Sequence, residues 1–454
     1  MKNNIQYFIY ISIIFNFSLY STNTFDLLRE LSLNHNENEN IKILSNKFVQ
    51  SHIIIGGLNN FVNISLDNKY DINNNNNLQI KTYRLEIFNT FDEKFKNCIT
   101  NKFNNFYVRV VLSLPKDNKY LVCSTNNICQ KCWIYNSEYT NNENIIDGKG
   151  LCSGNPADVN FLQLYIDSTK EGFFAINDNY KGYIATINSN LSRDVINKND
   201  IFHINPQFIN YAYRRKETLI SFLVNEYIKK NENNYNNIYW STSIVSYDIQ
   251  NHNLVKNRIK CVLKNYNKEM TSFFSINENF NKATSVKYFE ARDILYVVFI
   301  DNYDEYDNNL VSSSILCSFS LKMPTYGEVL LIKPSQKLIS LDGVESYLFL
   351  AFENGVIERY KIHNNNNSLQ KELIFKFQND IYDIRLLNNG NESLLCIFSY
   401  NNTIFFYKNI FTNTLNYIQK NFNNRIKSGL TIIIAFYIIL LLLWFHPRDV
   451  IFLY

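Results

Sequence analysis

The chain has 454 residues but only 12 glycines and 6 prolines. Together these are about one residue in twenty-five, where an average protein has roughly one in eight. That scarcity excludes a collagen-like chain and a Pro/Gly-rich linker, and it leaves the turns to another residue. Asparagine fills the role, because its short side chain caps its own turn and tolerates the left-handed region. The accompanying excess of Ile, Lys, Tyr and Phe reads as a coding bias toward A and T, so a single Asn carries little information. An excess of one charge is lacking too. Lys+Arg is 45 against Asp+Glu 41, a formal net charge of +4, with no dominant block of like charge. That balance carries no footprint of a nucleic-acid or anionic-membrane surface.

Catalytic signatures are also missing. The six histidines are His35, His52, His203, His252, His363 and His446, and no two have a metal-ligand spacing. The sequence holds no HExxH, no GxSxG and no Walker loop. Gly148 and Gly150 in DGKG precede Cys152, but a phosphate loop needs a strand–loop–helix context that this stretch lacks, so a tight turn is expected. Cys129 and Cys132 spell CxxC without the second ligand pair of a zinc site. A redox role would need a helix N-terminus to lower the thiol pKa; a structural disulfide is the default. Asp301, Asp304, Glu305 and Asp307 cluster in DNYDEYD, without the glycine and closing glutamate of a calcium loop, and read as a solvated loop. No catalytic residue, cofactor or metal site is expected.

What is present is apolar. Hydrophobic residues make up 46% of the chain and aromatics 15%, enough for a packed core. Between about 50 and 410 the apolar residues fall in short runs separated by polar turns. HIIIGG (52–57), FYVRVVLSL (106–114), KYLVCS (119–124), GYIATI (182–187), ILYVVFI (294–300), SYLFLAF (346–352) and TIFFYK (403–408) are of strand length. They are rich in β-branched and aromatic residues. The best helical period, about 213–230, fits a strand as well. So many strands over more than 350 residues exceed a single sandwich and suit a propeller of four-stranded blades. No repeat is visible in the sequence, which weighs against propellers with signature motifs. The runs Asn73–Asn77 and Asn364–Asn367 read as expanded surface loops.

The two ends are apolar in another way. Met1–Ser21 has Lys2 and then an apolar stretch, Ile5–Leu19, and reads as a secretory signal. Gly429–Phe445 is free of charge, at the lower length limit of a spanning helix, with Trp444 near one end. A single-pass anchor is expected, with a linker over 417–428 and a tail of His446–Tyr454. Lys420, Arg425 and Lys427 precede the segment and Arg448 comes after it, which taken alone would place the N-side in the cytosol. The signal segment commits the large domain to translocation first, so an extracellular N-side at the plasma membrane is expected, with secretion as the alternative. The remaining cysteines, Cys98, Cys123, Cys261, Cys317 and Cys396, fit that route. So do sequons at Asn63, Asn190, Asn366, Asn391 and Asn401.

Several of these segments, in chain order, resemble the sema domain of semaphorins and plexins. FYVRVVLSLPKDNKYLVCSTNNICQKC (106–132) resembles the family run with an N-Y-I-R-V-L strand and a C-G-T loop closed by a cysteine. DGKGLCSGNPADVNFLQLYID (147–167) resembles the semaphorin segment G-K-G-x-C-P-x-x-P followed by a strand ending in Asp. INPQFINYAY (204–213), NRIKCVLKN (257–265) and LFLAFENGVIERYKI (348–362) resemble later family stretches. The DGKG–Cys–Pro run leans toward semaphorin.

The resemblance implies an all-β, seven-bladed β-propeller over 22–416, with the N-terminal strand closing the last blade. It implies a disulfide between Cys123 and Cys132. Cys98 matches a family cysteine whose partner position is occupied otherwise, and the extra Cys129 is its candidate partner. Cys261 and Cys317 match cysteines whose usual partners are missing, which makes them a candidate pair outside the family pattern. The family's cysteine-rich and immunoglobulin-like modules are not read between the propeller and the apolar segment, as expected of a reduced semaphorin or of an incomplete gene model of one. The implied function is a non-catalytic, glycosylated cell-surface ligand. It would bind a plexin-type receptor in guidance or cell–cell signalling, with dimerisation making that binding bivalent. The rivals are a plexin-like decoy receptor without a signalling tail and a surface adhesion or structural β protein.

Overall fold

The computed structural model describes residues 26–32, 45–49, 52–57, 60–66, 78–84, 106–114, 119–126, 129–136, 142–154, 162–166, 171–178, 181–187, 193–195, 202, 206–216, 219–232, 235–262, 282–300, 313–322, 325–344, 346–363, 368–389, 392–401 and 403–408. The signal segment 1–21, the linker 417–428, the apolar segment 429–445 and the tail 446–454 lie outside the described residues, as do the acidic cluster 301–307 and both Asn runs. Among the described residues no helix is long and apolar enough to cross a membrane.

The described chain is built of strands. They are β1 (Asp26–Ser32), β2 (Ser45–Val49), β3 (His52–Gly56), β4 (Asn60–Leu66), β5 (Leu78–Arg84), β6 (Tyr107–Leu114), β7 (Lys119–Thr125), β8 (Gln130–Asn136), β9 (Asn142–Asp147) and β10 (Leu162–Ile166). Next come β11 (Glu171–Asp178), β12 (Lys181–Ile187), β13 (Arg193–Val195), β14 (Gln207–Lys216), β15 (Leu219–Glu232), β16 (Tyr235–Asp248), β17 (Asn253–Arg258) and β18 (Lys260–Val262). After β19 (Lys282–Phe289), a single 3-10 turn at Glu290–Arg292 leads to β20 (Ile294–Ile300), β21 (Ser314–Ser320) and β22 (Tyr326–Lys333). The last are β23 (Leu338–Val344), β24 (Tyr347–Phe352), β25 (Val356–Ile362), β26 (Leu369–Lys376), β27 (Ile381–Asn389), β28 (Glu392–Ser399) and β29 (Thr403–Lys408). Of the ambiguous stretch 213–230, the described residues 213–216 and 219–230 are strand, in β14 and β15.

These strands form seven sheets. Five take four consecutive strands in order: β2–β5, β6–β9, β10–β13, β14–β17 and β23–β26. One has five strands in the order β18-β22-β21-β20-β19, and one has the order β1-β29-β28-β27, with the N-terminal strand beside the last. The sequence explains each place in a sheet. Central strands are buried on both faces and read as unbroken apolar runs, such as YLFLAF in β24 and ILYVVFI in β20. Last strands alternate between exposed and covered positions, as in NLVKNR of β17 and the second half of LQKELIFK in β26.

By compactness the chain divides into two units. Met1–Glu30, Leu386–Cys396 and Phe405–Tyr454 form the first, where Leu395, Cys396 and Phe406 are fully buried. The second is Leu31–Arg385 with Ile397–Ile404. Within the second unit the sheets from β6–β9 to β23–β26 each pack a face on the next in chain order. Leu112, Leu121 and Ile134 of β6–β9 meet Phe174, Ile176 and Ile187 of β11 and β12. Phe173 and Ile184 meet Phe222, Val224 and Val245 of the β14–β17 sheet. Leu223 and Ile244 meet Val297, Phe299 and Phe319 of the five-stranded sheet. Tyr296, Val298 and Leu316 of that sheet meet Leu341, Leu348 and Leu350 of β23–β26. Successive sheets wedged face to face by apolar side chains are the packing of a β-propeller.

Candidate functional site: a polar track on the leading strands

One edge strand of each of these sheets, its leading strand, lies beside that of the next: β2 with β6, β6 with β10, β10 with β14, β14 with β19 and β19 with β23. On β19 and β23 they share a local irregularity. Pairing with the next strand skips Thr284 between Ala283 and Ser285, and skips Ile339 between Leu338 and Ser340. Each skipped residue is a bulge that re-aims the side chains beyond it. In both strands a serine comes next and a charge two residues later: Ser285 with Lys287, and Ser340 with Asp342. β27 carries Asp383 and Arg385 at the same spacing.

These positions make a continuous set of polar links. The backbone N–H of Leu341 donates to Ser285 Oγ at 3.0 Å, and that of Ile384 donates to Ser340 Oγ at 3.3 Å. Ser340 Oγ in turn donates to Asp383 Oδ1 at 2.6 Å. Lys287 Nζ lies 2.6 Å from Asp342 Oδ1, and Arg385 Nε lies 3.1 Å from Asp383 Oδ2. One sheet earlier, Tyr288 N–H donates to the Tyr211 hydroxyl at 3.2 Å. Nearby, the Asn225 side-chain amide donates to Ala283 O at 2.7 Å and accepts from Ala283 N–H at 3.0 Å. Thr242 completes this clip by donating to Asn225 Oδ1 at 2.6 Å.

The charges settle one another. Burial disfavours the Lys287 ammonium most, but Asp342 and Tyr211 together outweigh it and hold the group above its ordinary range. Burial likewise opposes the Arg385 charge, and Asp383 and Asp342 more than restore it. Burial pushes the Tyr211 phenol up against the pull of Lys287. At neutral pH the lysine therefore keeps its proton and the phenol keeps its own. Neither is poised as a base or nucleophile. The arrangement orients and locks the sheets. Among the described residues no group of three His, Cys, Asp or Glu side chains could hold a metal ion.

A second ionic site joins two sheets farther along. The buried Glu358 carboxylate of β25 accepts from the Tyr360 hydroxyl at 2.7 Å and pairs with Lys333 of β22 at 2.8 Å. Lys371 of β26 also pairs with it.

Of the residues singled out in the sequence, Cys123 and Cys132 stand opposite each other on β7 and β8, both fully buried, and are bonded to each other. Cys261 is bonded to Cys317. Cys129 is disulfide-bonded as well, while Cys98 lies outside the described residues. Cys152 and Cys396 keep their thiols inside the fold, and Cys152 Sγ points at the Ser124 carbonyl, 3.6 Å away. DGKG is a tight turn: Leu151 N–H donates to Gly148 O at 2.8 Å, and Gly150 has a φ of 79°. Asn63 sits within β4, and Asn401 is exposed in the turn between β28 and β29. Asn190, Asn366 and Asn391 lie outside the described residues, as do His35, His203 and His446. His52 is in β3; His252 Nδ1 bonds the Tyr247 hydroxyl at 2.8 Å, and His363 Nε2 bonds Gln370 Oε1 at 2.9 Å.

The polar track was not found from the sequence. Its signal is three tripeptides, Ser-Val-Lys, Ser-Leu-Asp and Asp-Ile-Arg, each at the matching point of a leading strand. Only the alternation of hydrogen-bonding side chain, apolar residue and charge repeats, not the residues themselves.

No protein-family model matches the chain, and no curated protein matches it by sequence. Solved structures do. A chain from the complex of Drosophila plexin A with semaphorin 1b is similar over 86% of this chain and 88% of its own, at 14% identity and a TM-score of 0.59. Drosophila semaphorin 1b, extracellular domains 1–2, is similar over 85% and 87%, at 14% identity and a TM-score of 0.57. Drosophila semaphorin 2a is similar over 83% and 74%, at 12% identity and a TM-score of 0.58. The chain has the sema-domain fold.

Proposed function

We propose that this chain is a non-catalytic surface protein whose sema-type propeller binds a plexin-type receptor, in guidance or cell–cell signalling. One observation carries the reading: the likeness to a chain from a plexin–semaphorin complex extends over 86% of this chain, so it covers a whole recognition frame and not one motif. The physical logic agrees with it. The polar track and the apolar wedges make a rigid support, and turns between rigid strands are where a partner surface is best carried. The DGKG–Cys–Pro run favours the ligand side. A receptor-side decoy is the second reading, favoured by the plexin A named in the same complex.

In this reading each sheet is a blade, and β1 pairs with β29 in the sheet that holds the last strands. Gly429–Phe445 anchors the chain with the propeller outside, Asn401 is an accessible glycan acceptor, and pairing of two copies adds avidity. The deciding experiment immobilises the region 22–416 and titrates plexin-type and semaphorin-type ectodomains from the same organism. Saturable binding of the plexin supports the ligand reading, and saturable binding of the semaphorin alone moves the chain to the receptor side. Self-association without either would replace both with an adhesion role. Protease treatment of intact cells that removes His446–Tyr454 would reverse the orientation.

A further inference from the structure

We propose that the matched positions on β19, β23 and β27 are a registry key: they set which sheet packs beside which, and at what height, more than they add net stability. The apolar wedges cannot do this. Each is made mostly from the same few residue types, Leu, Ile, Val and Phe, and attraction between such faces is non-directional. Cores of the right volume and pattern lose uniqueness before they lose stability.

The polar links are directional. Leu341 N–H reaches Ser285 and Ile384 N–H reaches Ser340 at one height on adjacent strands. Lys287, Asp342 and Arg385 then alternate in sign across three consecutive leading strands. Two errors become costly. A slip that keeps the same face inward must be two residues, because side chains alternate with period two. Such a slip sets Lys287 opposite Ser340 or Val344 and takes the lysine from the Asp342 carboxylate, only 7% exposed, which keeps only its weaker attraction to Arg385. Skipping the β23–β26 sheet would set Lys287 against Arg385, like charge against like. In its native setting the pair itself adds little, because desolvation consumes most of the attraction, whereas an orphaned partner is heavily penalised.

The test uses the full chain in detergent and four variants: Lys287→Asp, Asp342→Lys, the charge swap K287D/D342K, and the apolar pair K287M/D342L. Hydrogen-exchange mass spectrometry of peptides over 282–289 and 338–344 reports whether one packing or several is populated. Either charge reversal alone should give two isotope envelopes, or a chain that fails to fold. The swap should restore a single envelope, with protection somewhat below native because its new lysine then faces Arg385. The apolar pair should keep the native melting midpoint or raise it, yet show two envelopes. The proposal requires both results. A swap that restores nothing overturns it, and so does an apolar pair with one native-like envelope.

Discussion

Cys261, on the edge strand β18, is bonded to Cys317 on β21, although β22 lies between those strands in the sheet. The bond fastens a three-residue parallel strand that pairs with β22 over only Lys260–Val262. A strand that short holds little on its own. The two cysteines are 56 residues apart, against 9 for Cys123 and Cys132. Loop-closure entropy then assigns about 4 kcal/mol to the long loop and about 2.5 kcal/mol to the short one. Replacing both members of each pair by serine should therefore cost more at 261/317 than at 123/132, measured by urea unfolding. An equal or larger loss at 123/132 would remove the entropic account.

The Phe173 ring sits between two sheets, 5.8 Å from Phe222 and 5.4 Å from Tyr247. All three side chains are buried, so Phe173→Ala leaves a cavity with no water to fill it. The expected loss is about 3–5 kcal/mol, and Phe173→Leu should lose less, about 1–1.5 kcal/mol. Calorimetry on both variants checks the order. A loss below about 1 kcal/mol for the alanine would mean that the faces of the sheets are not what holds them together.

The legibility of the sequence rests on the same contrast. Central strands could be read directly, because burial on both faces forces runs such as ILYVVFI and SYLFLAF, and few other elements tolerate them. The stretch 213–230 stayed ambiguous for the opposite reason. Its strands β14 and β15 mix charged and aromatic residues, and their identity comes from pairing with distant partners, such as Ile220 with Tyr247. The polar track was invisible. A bulge at Thr284 and another at Ile339 give the strands a common frame, and only within that frame do Ser285 and Ser340 correspond. The sema-like order of segments was legible because turns and strands recur in sequence even where identities do not.

Gly355 ends the β24–β25 turn with a φ of 78°, in the left-handed region. Its N–H donates to Phe352 O at 3.0 Å, and its carbonyl accepts from Phe377 N–H at 2.8 Å. A Cβ there would fall 2.7 Å from Phe377 O and 2.8 Å from Asn379 O, both backbone atoms that cannot swing away. Gly355→Ala should cost about 1–2 kcal/mol for the backbone alone, with the two contacts adding to it. Gly355→Asn should gain nothing, since it tolerates the φ but keeps the Cβ. Urea midpoints for the two variants test this, and an asparagine variant as stable as the parent chain would contradict the steric argument.

Glu358 gives the fold a pH dependence with a definite sign. Burial alone would push its carboxyl up, but Lys333, Lys371 and Tyr360 all donate to it and together hold it below the ordinary range. A carboxylate with a lowered folded pKa contributes stability that is complete above its unfolded pKa, about 4.3. That contribution drains away as pH falls through the folded value. Glu358→Gln keeps the shape and the Tyr360 hydrogen bond while deleting the charge. The parent chain should therefore lead the variant by a constant margin from pH 7 down to about pH 5, and the margin should shrink as pH falls further. Urea midpoints taken along that series decide it. A margin that holds steady into the acid range, or grows there, would show that the two lysines do not act through the Glu358 charge.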